Sequence, residues 1–98
     1  MEVAYMREKE IEQRLVKAIK SRGGLCIKLS PVGFDGLPDR LVLLPQGCIA
    51  FVELKALGKK PRALQIRRMK QLTELGFNCY VLERIEGIGG VIDAIQAT

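Results

Sequence analysis

Two short β-prone runs, "RLVLLP" and "CIAFVEL", are separated only by "PQG", and this arrangement predicts a β-hairpin at the centre of the chain. An antiparallel pair joined by a short turn sets the beginning of its first strand beside the end of its second. Both of those positions are charged. Asp39 follows Pro38 directly before the first run, and Glu53 and Lys55 interrupt the end of the second. Glu53 and Lys55 are two residues apart, so in a strand they project from the same face. Charges beside buried strands cost several kcal/mol unless something compensates them. Either a cross-strand Lys–carboxylate salt bridge or a cation held between the two acids supplies that compensation.

The hairpin is flanked by helical and extended signals. In "EKEIEQRLVKAIKSRGG" the apolar residues Ile11, Leu15, Ala18 and Ile19 follow the spacing of an amphipathic helix, which Gly23 and Gly24 stop. "LCIKLS" reads as a strand and "VGFDGLP" as a loop. After the hairpin, "GKKP" turns the chain. Pro61 suits the first turn of a helix over "RALQIRRMKQLTELG", with Leu64, Met69, Leu72 and Leu75 available for packing and Gly76 as its stop. "FNCYVLE" is a further strand. The order is αβββαβ, with room for a short closing helix in "GGVIDAIQAT". Three strands in succession, then a helix and a strand, predict an α+β domain with a mixed sheet flanked by helices. Residues 1–98 read as a single domain without repeat or linker.

Composition narrows the chemistry. The chain has no His, which excludes a Ser-His-Asp triad, a Cys-His dyad and a His-ligated metal. Hydrolysis is left to carboxylates, Lys and a hard, oxygen-loving cation such as Mg²⁺ or Mn²⁺. Cys26, Cys48 and Cys79 are odd in number and far apart, arguing against a disulfide framework and for small hydrophobes in apolar segments. Few aromatics and no Trp argue against base-stacking platforms of the kind that grip single strands. No apolar stretch approaches the ~20 residues that span a bilayer. "MEVAYMREKE" lacks the apolar core of a signal peptide, so the expected location is the cytoplasm.

The net charge of +5 is concentrated. Between Leu54 and Thr73 stand Lys55, Lys59, Lys60, Arg62, Arg67, Arg68 and Lys70 with no acid, while the rest of the chain is slightly acidic. Such a segment fits a phosphate backbone. It also fits a solvated Lys/Arg-rich helix face. Lys28 and Ser30 close the first strand near the arriving Asp39, where DNA contact and simple solvent exposure are both open. Gln65 has similar alternatives: a hydrogen bond near the acids or to a phosphate, or an exposed helix position.

Two carboxylates aimed at one point repel each other and invite a cation. Mg²⁺ between Asp39 and Glu53 would leave positions for water and a phosphate oxygen. Lys55 beside it would orient or deprotonate the attacking water, or stabilise charge on the phosphate. The first helix offers a third acid. Glu8 and Glu12 flank its apolar stripe while Glu10 points elsewhere, and an acid on a packing face needs a reason. The reason is either a ligand reaching the sheet or the helix dipole, worth ~0.3–1 kcal/mol at a first turn.

"GLPDRLVLLPQGCIAFVELKALGKKPRALQ" resembles the VRR-NUC family of the PD-(D/E)XK nuclease superfamily, in its small stand-alone phage and bacterial form. Pro38-Asp39, then Glu53-Leu54-Lys55, then Gln65 carry the resemblance, which extends from the first helix through "LGFNCYVLE". It implies a restriction-endonuclease-like αβββαβ core and Mg²⁺- or Mn²⁺-dependent phosphodiester hydrolysis. It further implies metal ligation by Asp39, Glu53 and the carbonyl of Leu54, with Lys55 as the catalytic lysine and Gln65 as the family's helix glutamine. A helix acid completes the implied set, Glu12 in preference to Glu8. Stand-alone members resemble Holliday-junction resolvases, which implies a homodimer cutting four-way DNA junctions.

The expected activity is therefore a metal-dependent, structure-selective endodeoxyribonuclease. Lys28, Ser30, Arg40, Lys59, Lys60, Arg62, Arg67 and Arg68 are its candidate DNA contacts, and neither a membrane nor a small-molecule substrate is expected. The alternatives are a less selective nuclease of the same fold and a non-catalytic basic module that binds nucleic acid. Converging acids weigh against the last, because binding alone does not need them.

Overall fold

The computed structural model describes residues 2–98, with side chains described from Arg7 onward; Met1, which opens the N-terminal stretch read above, lies outside the described residues. The elements are α1 (Glu2–Ser21), β1 (Leu25–Lys28), β2 (Arg40–Leu44), β3 (Cys48–Leu54), α2 (Ala63–Glu74), β4 (Asn78–Leu82) and α3 (Ile88–Gln96). One-turn 3₁₀ segments at Pro45–Gly47 and Ile85–Gly87 join β2 to β3 and lead into α3.

The four strands run in the order β1-β2-β3-β4. β1, β2 and β3 are antiparallel neighbours, whereas β4 runs parallel to β3 because α2 carries the chain back to the end of the sheet at which β3 begins. The sheet is thus mixed and the domain α+β, as expected. The central hairpin pairs Arg40 with Val52 and Leu44 with Cys48. Its Pro45-Gln46-Gly47 loop turns through two left-handed residues, Gln46 at φ 69° and Gly47 at φ 75°. Beyond β1 the ladder gains one more bond, from Leu29 N to Asp39 O at 2.9 Å. That bond fixes the backbone of the acid itself.

Alternation along the strands divides the sheet into unequal faces. Val42, Leu44, Ala50, Val52, Leu54 and Leu82 point toward α1 and α3, and with Ile11, Leu15, Ile19, Ile88, Ile92 and Ile95 they form the buried core. α1 ends where Gly23, at φ +81°, lets Gly23 N reach Lys20 O and Gly24 N reach Ile19 O. The opposite face carries Leu41, Leu43, Ile49, Phe51 and Glu53. α2 covers it incompletely. Leu64, Met69 and Leu72 are half-buried, but Leu75, expected to pack, is exposed, because α2 lies over β4 at one edge of the sheet. Pro61 also differs from expectation. It precedes the extended N-cap Arg62 rather than entering the helix, since the Gln65 side chain accepts a hydrogen bond from Arg62 N at 3.0 Å and starts the helix at Ala63.

The cysteines are free and half-buried. Among the described residues no helix is long and apolar enough to cross a membrane.

Candidate active site

The hairpin register carries Asp39 to the side of Glu53, and the two acids are tied through each other's backbone. Asp39 N donates to Glu53 Oε1 at 3.1 Å, and Leu54 N donates to Asp39 Oδ2 at 2.9 Å. Each carboxylate thereby spends one oxygen on an amide. Buried Pro38 holds the approach to Asp39, and Lys55 N donates to Leu82 O at 3.0 Å, extending the β3–β4 ladder past Glu53. Glu53 is 0% exposed, a rare place for a carboxylate.

Its second oxygen, Oε2, is buried without a well-formed hydrogen bond, and the Lys55 ammonium lies 2.9 Å from it as an ion pair. Burial raises the Glu53 pKa above the ordinary carboxylate value. The Lys55 ammonium opposes that shift, the Asp39 charge adds to it, and the Gln65 side chain, within hydrogen-bonding reach, opposes it again. Gln65 is itself only 6% exposed. Asp39, Glu53, Lys55 and Gln65 therefore meet at one end of the sheet.

This donor set fits a hard divalent cation. The carboxylate oxygens not bonded to an amide, Asp39 Oδ1 and Glu53 Oε2, and the neighbouring Leu54 carbonyl are oxygen donors, and the buried Glu53 Oε2 already faces the positive charge of Lys55. Among the described residues no cluster of three or more His, Cys, Asp or Glu side chains is assembled. Mg²⁺ does not require one, because it is commonly held by one or two carboxylates with water and phosphate completing the shell. A cavity of about 200 Å³ opens beside Asp39 and Leu54, lined also by Glu8, Lys9, Glu12 and Lys28. A smaller one, about 120 Å³, lies on the other side of Asp39 between residues 29–38 and Arg62 and Gln65.

Both helix acids reach the larger cavity, but they are held differently. Glu12 Oε2 lies 3.0 Å from Arg40 Nε, and Arg40 Nη1 donates to Cys26 O at 3.1 Å. Arg40, expected on the DNA surface, instead turns inward and joins α1 to β1 and β2. The reason is its position: it shares the core-facing side of β2 with Val42. Glu10 pairs with Arg14 on the outer face.

Of the other expected DNA contacts, Lys28 lines the larger cavity, Ser30 accepts from Val32 N at 3.2 Å, and Lys59, Lys60 and Arg67 are exposed. Arg62 lies 3.6 Å from Asp35 Oδ1. Arg68 donates through Nε to Asp35 O at 3.0 Å and through Nη1 to Gln71 Oε1 at 3.1 Å. Both arginines thus fasten residues 29–38 to α2. Lys9 also lines the acid cavity, and its place directly after Glu8 is the signal for it in the sequence.

No protein-family model matches the chain. It is 40% identical over 91 residues to the protein titled "Putative nuclease p44" from Acyrthosiphon pisum secondary endosymbiont phage 1, covering 93% of this chain and 97% of that one. It is also similar to a solved structure titled "VRR_NUC domain", at 33% identity and a TM-score of 0.82, over 89% of this chain and 95% of the other.

Proposed function

The chain belongs to the VRR-NUC family of nucleases, and from that premise we propose that it hydrolyses DNA phosphodiester bonds with Mg²⁺ or Mn²⁺ held by Asp39, Glu53 and the Leu54 carbonyl. The observation that carries the reading is the fully buried Glu53 carboxylate, aligned with Asp39 through paired backbone hydrogen bonds and faced by Lys55. Well-packed apolar side chains would be at least as stable as a buried ion pair at this place, so the presence of a buried charge there favours chemistry.

A cation bound at these oxygens supplies positive charge to the phosphate and lowers the pKa of water. Asp39 and Glu53, each oriented by an amide, would hold it. Lys55 presents its ammonium at the same point, where it orients the attacking water and stabilises charge developing on the phosphate. Gln65 stands buried beside the acids at the start of α2, and Glu12, steadied by Arg40, approaches from α1 with Glu8 beside it. Lys28 at the cavity wall and the exposed Lys59, Lys60 and Arg67 attract the phosphate backbone.

The substrate in this reading is branched DNA, a four-way junction foremost, and the active species is a homodimer. Symmetric incision of a junction requires two sites, and two-fold pairing of one-site protomers provides them. The work belongs to the cytoplasm of a bacterium or phage-infected host. The test is a gel of labelled four-way junction, splayed arm, flap and linear duplex, each with Mg²⁺, Mn²⁺ or EDTA, beside the solution mass of the protein. Paired metal-dependent nicks on the junction by a dimer support the reading. Equal digestion of every form identifies a general nuclease, and metal-independent, salt-sensitive binding without cleavage identifies a binding module.

A further inference from the structure

The segment between β1 and β2, residues 29–39, leads directly into Asp39, and its apolar side chains are displayed rather than buried. Val32 is 88% exposed and Phe34 50%. Single exposed apolar residues need no explanation. These two are notable because the loop beneath them is fastened. Arg68 Cζ lies 4.2 Å from the Phe34 ring centroid, Arg68 Nε donates to Asp35 O at 3.0 Å, and Arg62 pairs with Asp35 at 3.6 Å. Gly36, at φ +91°, rests directly on α2, where a Cβ would fall 2.7 Å from Leu64 Cγ. Beside the ring runs a groove of about 540 Å³ lined by Phe34, Leu37, Arg68, Gln71, Leu72, Glu74 and Leu75.

An aromatic ring backed by a guanidinium, half open to solvent and flanked by an apolar groove, has the chemistry of a platform for a nucleobase. Bases inside a continuous duplex are stacked on each other and unavailable to it. A base at a branch point has lost a stacking neighbour and is available. Resting on the nuclease reading above, the geometry points to the 32–34 tip as the element that distinguishes branched DNA from duplex. An unstacked base lies on Phe34, and Val32 wedges into the step from which it came, as apolar side chains do when they unstack bases. Arg62 is paired with Asp35 yet keeps its side chain 62% exposed, and the exposed Lys59, Lys60 and Arg67 of the same segment add positive charge, which favours nucleic acid over an apolar protein surface as the occupant.

A consequence in distance follows. Five residue steps lead from Phe34 to Asp39, a span of at most about 18 Å. At ~3.4 Å per nucleotide along a strand, incision falls within about five nucleotides of the branch.

The experiment compares the full chain with Val32→Ser and Phe34→Leu, neither of which removes a buried side chain. Binding is read by 2-aminopurine fluorescence at the branch of a four-way junction, in an Asp39→Asn background that keeps the DNA intact. Cleavage of junction and linear duplex is read in the otherwise unaltered chain. The expected result is a fluorescence rise on binding that Phe34→Leu abolishes and Val32→Ser diminishes. With it comes a fall of about tenfold in the junction-to-duplex rate ratio, from the size of one base–aromatic stack, at unchanged duplex cleavage. An unchanged ratio, an equal loss on duplex, or incision far from the branch overturns the inference. So does a dimer that falls to monomer in Val32→Ser with fluorescence unaltered, which assigns the tip to a protein contact. If the parent chain cuts no DNA, the nuclease reading falls and this inference with it. If it cuts normally and the variants match it, only the inference falls.

Discussion

Replacing Lys55 by Met should expose the energetic logic of the site. The substitution keeps most of the aliphatic stem and removes the ammonium 2.9 Å from the buried Glu53 Oε2. Breaking a buried ion pair from one side commonly costs ~3–5 kcal/mol, because the remaining charge is left uncompensated. Here the loss is smaller. The Lys55 side chain is 19% exposed, and Glu53 retains the hydrogen bond from Asp39 N. A cost of about 2 kcal/mol is expected in EDTA. For a domain of this size that corresponds to a fall in Tm of about 8–16 °C. Two rescues follow. Saturating Mn²⁺ should restore much of the stability by replacing the missing positive charge, since a ligand that binds only the folded state stabilises it. Adding Glu53→Gln to Lys55→Met should also recover stability, because no charge then remains buried. Urea denaturation of the parent, both single variants and the double, each with EDTA or Mn²⁺, reads all of this. If Lys55→Met is as stable as the parent, or the double variant is destabilised by the sum of the singles, the two side chains are not energetically coupled and the argument fails.

Asp39→Ala should reduce Mg²⁺-dependent cleavage to background, yet cost only about 1 kcal/mol of folding stability through loss of the acceptor for Leu54 N; cleavage at the parent rate would remove Asp39 from the site. Because the pKa of Glu53 is raised, acidification should weaken Mn²⁺ binding by calorimetry at a higher pH than an ordinary carboxylate would. In EDTA the linkage runs the other way: the folded state holds this proton more tightly, so its contribution to stability is full below the ordinary carboxylate pKa and lost as pH rises through the raised value. Glu53→Gln should abolish both dependences. Gly36→Ala should destabilise by about 2–3 kcal/mol, from the left-handed φ of +91° and collision with Leu64 and Arg68, whereas Gly58→Ala, at φ +82° in open space, should cost about 1; equal denaturation midpoints would refute the close packing of the loop on α2.

The parts of the fold legible in the sequence were those with local causes. The hairpin follows from two β-prone runs around Pro45-Gln46-Gly47, and the mixed sheet from the helix inserted before β4. The meeting of Asp39, Glu53 and Lys55 follows in turn from hairpin geometry and the two-residue period of a strand. What stayed hidden depended on partners distant in the chain. Nothing around Glu12 announces Arg40, 28 residues away, and nothing around Arg40 announces that its strand position turns it inward. Gln65 looked like a residue of an exposed basic helix because Arg62 does not advertise an N-cap, although it is Gln65 itself that makes Arg62 one. Arg62 and Arg68 read as free charge for DNA, but the loop folds back to α2 and engages both. The same fold-back turns Phe34, in a chain poor in aromatics, into a supported and exposed ring.

The most direct test of the proposed metal site is anomalous diffraction from crystals soaked in Mn²⁺, with and without bound DNA. The account predicts a manganese peak between Asp39 and Glu53, within coordination distance of the Leu54 carbonyl, and absent in Asp39→Ala. No peak at this end of the sheet in the parent protein, even with DNA present and with Lys55 still closed on Glu53, would contradict it.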